Sequence, residues 1–133
     1  MIDDITVKAL VAKAQEALEA AYSPYSGYAV GAAVLAANES TYSGANIENA
    51  AYGESLCAER VAVAKAVSEG ARDIVAVAIV AGDGKPAAPC GACRQVIHEF
   101  NPDCLVIMAG DEETIVKTVG ELLPMAFRLK KRG

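Results

Sequence analysis

Apolar residues recur at helical spacing near the N-terminus and then give way to two short β-forming segments. The helical pattern stops at Ser23-Pro24, and because proline disfavours helix at the residue before it, a first helix is predicted to end there. Asp3 or Asp4 is its expected N-cap. The two segments that follow are separated by a turn-like stretch and predict a β-hairpin. They cover Val30–Ala36 and Thr41–Ile47.

Helical patterns alternate with continuous apolar runs in the second half of the chain. Residues 55–69 have a helical period and stop at Gly70, a common C-terminal cap, and a third helix is predicted between Pro89 and Pro102. The apolar runs are typical of strands buried on both faces, and residues 118–121 resemble a capping box. These patterns predict strands at Ile74–Ala81 and Cys104–Ala109, a short edge strand at Thr114–Thr118 and a short last helix at Glu121–Leu123.

The order of these elements predicts an α/β fold in which helices cover both faces of one sheet. We expect a three-layer α-β-α sandwich with a mixed central sheet of about five strands. The chain has 133 residues, enough to enclose a core, and we expect residues 1–133 to form a single domain. Four basic side chains crowd the C-terminus, and we expect residues 128–133 to be a flexible basic tail.

The net negative charge limits which partners the chain is expected to bind. The chain has 12 basic and 17 acidic residues, and without the four basic residues of the tail the balance is −9. Such a surface repels polyanions, so no nucleic-acid partner is expected. The hydrophobic content is 53%, high for a chain of this length, and part of it is expected on surfaces that meet other subunits.

The lengths of the apolar runs and the first residues of the chain indicate where in the cell the protein is expected. No apolar run approaches the roughly 20 residues that a membrane-spanning helix needs, so no membrane partner is expected. The start, Met1-Ile2-Asp3-Asp4, lacks the basic and apolar segments of a signal peptide, which predicts a cytoplasmic protein. In that reducing compartment, four cysteines are expected to be metal ligands or reactive thiols rather than disulfides.

Three of these cysteines and one glutamate point to a catalytic zinc site. Cys57 and Glu59 lie near the start of the second predicted helix, and Cys90 and Cys93 near the start of the third. Three thiolates fill three corners of a tetrahedral zinc ion and leave the fourth open for water. Helix N-termini favour the thiolate form, and Glu59 is placed to handle the protons of that water. Arg60 is expected to donate to the sulfurs, because three thiolates leave zinc with a net charge of −1.

Two other interpretations of the cysteines remain open from spacing alone. A structural four-thiolate zinc site would recruit Cys104, and a redox dithiol would use Cys90 and Cys93 without metal. His98, the only histidine, is expected on a helix surface. Since no Gly-x-Ser-x-Gly motif accompanies it, proton transfer falls to a carboxylate, for which Glu59 is best placed.

Cys-Ala-Glu at 57–59 followed by Pro-Cys-Gly-Ala-Cys at 89–93 resembles the zinc-dependent cytidine deaminases. Further segments are similar to their small homotetrameric branch, which acts on free nucleosides. These are Tyr22-Ser23-Pro24-Tyr25-Ser26, Val30-Gly31-Ala32-Ala33, Gly44-Ala45-Asn46-Ile47-Glu48-Asn49-Ala50 and Glu121-Leu122-Leu123-Pro124.

The resemblance implies one Zn²⁺ per subunit and hydrolytic deamination of cytidine and deoxycytidine to uridine and deoxyuridine, in pyrimidine salvage. It also implies that zinc-activated hydroxide attacks C4 of the pyrimidine and that Glu59 carries protons from the water to N3 and to the departing ammonia. A related deaminase of a nucleoside antibiotic, such as blasticidin S, is the nearest alternative. A noncatalytic zinc-stabilised module is an alternative of another class.

The resemblance also implies the substrate contacts. Asn46 and Glu48 match the ribose-binding pair, and two residues two apart on an extended segment project the same way, although turn chemistry would also explain them. Tyr28 and Phe127 match aromatic positions that stack on the base, Phe127 from a neighbouring subunit of a homotetramer. Ala58 matches a substrate-binding position and Gln95 one that supports the site.

Overall fold

Helices and strands follow one another much as the hydrophobic pattern predicts. The computed structural model describes residues 2–132. Within that range the elements are α1 (Asp4–Leu18), β1 (Val30–Ala36), β2 (Thr41–Ala45), a 3₁₀ turn (Tyr52–Glu54), α2 (Ala58–Ser68), β3 (Ile74–Ala81), α3 (Gly91–Phe100), β4 (Leu105–Ala109), β5 (Thr114–Thr118) and α4 (Val119–Leu122).

The five strands form one mixed sheet in the order β2-β1-β3-β4-β5. Strand β1 is antiparallel to both of its neighbours, and β4 is antiparallel to β5. Strands β3 and β4 are parallel, and α3 makes the crossover that such a pair requires. The predicted mixed sheet of about five strands is confirmed.

Helices cover both faces of this sheet. Leu10 and Ala14 of α1 pack on one face, against a cluster that includes Ile107 of β4. Val63 of α2 and Ile97 of α3 are buried in the cluster on the other face. This arrangement confirms the predicted α-β-α sandwich and places α2 and α3 side by side.

Two glycines allow the helices to approach the sheet closely. A Cβ atom at Gly31 would lie 2.1 Å from the carbonyl oxygen of Ala14 in α1. A Cβ atom at Gly44 would lie 2.6 Å from the backbone nitrogen of Ala62 in α2. Real Cβ atoms do not approach backbone this closely, so any larger residue would push the helix away from the sheet.

Caps define several element ends. The side chain of Asp3 accepts a hydrogen bond of 2.8 Å from the backbone of Thr6, so Asp3 is the N-cap of α1. Thr118 and Glu121 form the predicted capping box, with backbone–side-chain bonds of 2.9 and 3.1 Å. The last helix therefore begins at Val119, earlier than predicted.

Other boundaries also differ from the predictions. Helix α1 ends at Leu18 rather than at Ser23-Pro24, and strand β4 begins at Leu105 rather than Cys104. Strand β2 ends at Ala45 rather than Ile47, because Ile47 leaves the sheet and pairs instead with Tyr22 and Leu56. Helix α2 begins at Ala58 rather than residue 55. The residues just before it are extended or in the 3₁₀ turn, so Cys57 is an N-cap and not a first-turn residue.

None of the helices within residues 2–132 combines the length and apolar character needed to cross a membrane. Near the C-terminus, the Nζ atom of Lys131 lies 3.8 Å from Oε2 of Glu99 in α3. Both side chains are mostly exposed, so this ion pair contributes little to stability. Residues 127–132, called the C-terminal segment below, lie along α3.

Candidate zinc and nucleoside site

Two neighbouring helix N-termini bring three thiols together. Cys57 is the N-cap of α2, Cys90 is the N-cap of α3, and Cys93 lies in the first turn of α3. Their sulfur atoms all lie within 4.8 Å of one another, and the Sγ atoms of Cys57 and Cys90 are 3.8 Å apart. Thiolates about 2.3 Å from a tetrahedral zinc ion are separated by about 3.8 Å. The three cysteines therefore fit zinc by geometry as well as by chemistry.

The thiol cluster favours a negative charge on the sulfur of Cys57. The hydrogen bond from Cys93 lowers the pKa of the Cys57 thiol to about 6, and the hydrogen bond from Cys90 and the positive charge of Arg60 act in the same direction. The same contact with Cys57, together with burial, raises the pKa of Cys93. The cluster thus favours a thiolate at neutral pH, which suits a cation.

Arg60 carries an unpaired donor beside this cluster. Its Nε atom is buried and has no hydrogen-bond partner among residues 2–132. A buried N–H without an acceptor is costly, and thiolates that ligate a metal are suitable acceptors. This orphaned donor supports the expected role of Arg60 in offsetting the charge of three thiolates.

Glu59 lies in the first turn of α2 and is only 5% exposed. Burial is the main cause that raises the pKa of its carboxyl to about 7, and the charge of Cys57 adds to the effect. Arg60 and a backbone hydrogen bond oppose it. A group with a pKa near the working pH is well suited both to accept and to donate protons.

A cavity of about 300 Å³ joins this acid and the thiols to the expected substrate-binding residues. Its volume lies at the lower end of the range typical of small-molecule sites. Cys57, Glu59 and Cys90 line one part of it. Tyr28, Asn46, Glu48 and Ala58, which the sequence predicts as substrate contacts, also line it.

The side chains of Asn46 and Glu48 are held in place by hydrogen bonds to other residues of the chain. Asn46 accepts from the backbone of Val30 at 2.9 Å and donates to the carbonyl oxygen of Tyr28 at 2.8 Å. Glu48 accepts from the backbone N–H groups of Tyr25 and Ser26 and from the Ser26 hydroxyl. The Ser26 hydroxyl is the main cause that lowers the pKa of Glu48, so this carboxyl is an ionised acceptor.

No pattern in the sequence assigns Ser26 a role of its own. It lies 22 residues from Glu48, and no local spacing links the two positions. The only available signal was its place in the Tyr22–Ser26 motif. The hydrogen bonds become visible only when the loop after α1 folds beside the segment after β2.

Two residues predicted for the site lie outside this cavity within one chain. The Phe127 side chain is 68% exposed and does not line it. Gln95 donates from Nε2 to the carbonyl oxygen of Phe127 at 2.9 Å and so ties the C-terminal segment to α3. Because Cys93 lies on the same helix, Gln95 links this segment to a helix that carries a metal ligand.

Cys104 and His98 also lie away from the thiol cluster. Cys104 is fully buried, and burial raises the pKa of its thiol to about 12. It is not among the three clustered thiols, so the part of the chain that the structure describes does not support a four-thiolate site. The prediction of a surface histidine was wrong, since His98 is only 8% exposed. The C-terminal segment packs beside it, and Phe127 and Leu129 line the same small recess.

The fold and the site define a class of protein: a zinc-binding α/β enzyme with a buried carboxyl group beside a cluster of three cysteine thiols. Residues 5–109 match the family model described as the cytidine and deoxycytidylate deaminase zinc-binding region. The chain therefore belongs to this deaminase family, and Cys57, Cys90 and Cys93 are the residues that fit its zinc ion.

Individual relatives agree with this assignment. The chain is 51% identical over 120 residues to the cytidine deaminase of Halalkalibacterium halodurans, covering 89% of this chain and 91% of that protein. The crystal structure of cytidine deaminase from Burkholderia pseudomallei has a TM-score of 0.86 and 42% identity, covering 90% of this chain and 98% of that one. Blasticidin-S deaminase of Bacillus cereus is more distant, at 33% identity over 106 residues, 74% of this chain and 76% of that protein.

Proposed function

We propose that this protein catalyses the zinc-dependent hydrolytic deamination of cytidine and deoxycytidine, with uridine and deoxyuridine plus ammonia as products. The observation that carries the proposal is one cavity that holds the buried Glu59 carboxyl, the thiols of Cys57 and Cys90, and the polar pair Asn46 and Glu48. This cavity offers groups for both the base and the sugar of a nucleoside. The reaction would return free nucleosides to pyrimidine salvage.

Glu59 is the proton carrier in this proposal. When bound, the zinc ion supplies Lewis acidity that brings the pKa of a water molecule to about 7. The Glu59 carboxylate accepts a proton from the attacking water and delivers protons to N3 of the pyrimidine and to the leaving ammonia. Its burial excludes competing solvent, and its raised pKa suits a group that must both take and give a proton.

Asn46 and Glu48 are proposed to bind the sugar. An ionised carboxylate is purely an acceptor, so Glu48 selects a hydroxyl donor, whereas the Asn46 amide can both donate and accept. Tyr28 is proposed to pack against the base, and burial raises the pKa of its hydroxyl, so the ring stays neutral. Ala58 lines the same cavity and is proposed as a further substrate contact.

We also propose a homotetramer with active sites near the subunit interfaces. Large apolar side chains are exposed close to the cavity, on the C-terminal segment or just before it, and these are surfaces that a partner subunit would cover. They include Tyr25, Tyr28, Leu56, Met125, Phe127 and Leu129. In such an assembly Phe127 reaches the base in a neighbouring site, which accounts for its exposure in one chain.

Light scattering of the purified protein at micromolar concentration tests this assembly. We expect a mass of four chains, about 55 kDa from a chain of 13.7 kDa. A Phe127→Ala variant is expected to raise KM for cytidine by about tenfold, because it removes a stacking contact. A monomeric mass together with full activity would contradict the tetramer.

The four free cysteines fit a reducing compartment, and we propose a cytoplasmic location. No nucleic-acid or membrane partner enters the proposal, and the acidic body of the chain is poorly suited to phosphate contacts. We further propose that residues 1–133 act as one domain, with 128–133 as a basic tail.

Turnover of cytidine by native, chelator-treated and zinc-restored protein tests the function. We expect the absorbance change of the pyrimidine and the release of ammonia to disappear with the metal and to return with zinc. Blasticidin S serves as the competing substrate, and kcat/KM is expected to favour cytidine. A metal-free protein with full activity would support a dithiol enzyme, whereas bound zinc without ammonia release would support a noncatalytic module.

A further inference from the structure

Ser26 contacts two of the proposed substrate-binding residues at once. Its backbone N–H donates to Oε1 of Glu48 at 3.1 Å, and its hydroxyl donates to Oε2 of the same carboxylate. The hydroxyl also accepts from the backbone N–H of Tyr28 at 3.0 Å. One hydroxyl group is therefore shared between the proposed sugar-binding acid and the backbone of the aromatic residue proposed to contact the base.

These contacts restrict what the Glu48 carboxylate can still bind. A carboxylate has about four acceptor positions. Two on Oε1 are taken by the N–H groups of Tyr25 and Ser26, and one on Oε2 is taken by the Ser26 hydroxyl. The acceptor position that remains lies on Oε2, the oxygen that Ser26 orients. It can accept a hydrogen bond from one hydroxyl group.

The turn at Gly27 brings the backbone N–H of Tyr28 to the Ser26 hydroxyl, which also binds Glu48. Gly27, between Ser26 and Tyr28, has a φ of 71°, a left-handed conformation that favours glycine. Among the described residues other than its two chain neighbours, no atom would lie within 4 Å of a Cβ at Gly27, so the backbone angle rather than space requires glycine there. This turn directs the N–H of Tyr28 back to the Ser26 hydroxyl.

We propose that Ser26 is a positioning residue for the nucleoside sugar. Its hydroxyl orients Oε2 of Glu48 toward one sugar hydroxyl and holds the Tyr28 backbone beside the cavity. Without this hydroxyl, Glu48 keeps hydrogen bonds to only one of its oxygens, and the other oxygen is free to turn away from the sugar. This inference rests on the proposed function, because it assumes that the cavity binds a nucleoside.

Ser26→Ala is the direct test. We expect KM for cytidine to rise by about tenfold with kcat within about twofold, because a hydrogen bond that orients binding rather than proton transfer is lost. Ser26→Thr keeps a hydroxyl and is expected to restore most of the affinity. Ser68→Ala is the matched control: its hydroxyl donates to the carbonyl oxygen of Lys65 at the far end of α2, and both constants should stay unchanged.

A substrate panel separates positioning from a merely structural role. With cytidine, 2′,3′-dideoxycytidine and 5′-deoxycytidine, the effect of Ser26→Ala on kcat/KM is expected to shrink to about twofold for the analogue that lacks the hydroxyl held by Glu48. An equal loss for all three nucleosides, or an unchanged KM for cytidine, would overturn the role of Ser26. Ser26→Gly removes the same hydroxyl and replaces Ser26→Ala if that variant does not fold.

A failure of the proposed function gives a different result from a failure of the Ser26 inference. In that case the wild-type protein releases no ammonia from cytidine, and this result precedes any comparison of variants. If the wild type is active, an unselective Ser26→Ala effect rejects the positioning role alone.

Discussion

Glu59→Gln is expected to keep the zinc ion and to lose turnover of cytidine by about 10³-fold or more, in line with the loss of a general acid–base group. The amide has nearly the same shape as the carboxyl, so the buried position in α2 remains filled. An amide neither accepts the proton of the attacking water nor returns it to the pyrimidine. The measurement is kcat by ammonia release, alongside zinc content per chain by elemental analysis.

Glu69→Gln is the matched control for this variant. Glu69 caps the far end of the same helix and is exposed, so the same chemical change there should leave kcat and zinc content at wild-type values. Substantial turnover by Glu59→Gln with a full complement of zinc would refute the proton-carrier role. A variant without zinc would show instead that Glu59 supports the metal site.

Cys93→Ala is expected to abolish both stoichiometric zinc binding and deamination. The substitution leaves only Cys57 and Cys90 as thiolate ligands, and two ligands do not hold zinc as tightly as three. We expect the substitution to lower mainly the affinity for zinc, since the small side chain of alanine fits the buried helix position. Zinc content after dialysis and ammonia release from cytidine are the two measurements.

Cys104→Ala is the control, because it removes a buried thiol that lies outside the cluster. We expect it to keep zinc and activity and to lower the free energy of unfolding by about 1 kcal/mol, the usual cost of trimming a core side chain slightly. Loss of zinc from Cys104→Ala would revive the four-thiolate interpretation. Full activity of zinc-free Cys93→Ala would contradict a zinc mechanism altogether.

The thiol cluster shows which contacts can be predicted from residue spacing alone and which cannot. Two cysteines three residues apart at a helix start share one face, which is a local property and was predicted correctly. That Cys57 lies 3.8 Å from Cys90 depends on α2 and α3 packing side by side on the same face of the sheet. Spacing left a redox dithiol and a four-thiolate site open, and the position of Cys104 in the fold supports neither a fourth ligand nor a larger cluster.

His98 shows where local pattern misleads. Its helical angle relative to Cys93 indicated a solvent-facing side chain, yet it is buried. The helix itself was predicted correctly, but the C-terminal segment lies beside His98, and Gln95 holds this segment through the carbonyl oxygen of Phe127. A periodic pattern describes one helix and contains no information about a distant segment that packs on it.

The sequence by itself determined the order of helices and strands, the grouping of Cys90 with Cys93 and the grouping of Cys57 with Glu59, because each depends on periodicity or spacing within a short segment. Only the tertiary structure decided that Glu59 is buried, that Arg60 has a donor without a partner among residues 2–132, and that Ser26 holds Glu48 across 22 residues. Burial and long-range hydrogen bonds arise from packing between segments. No local property of the sequence predicts them.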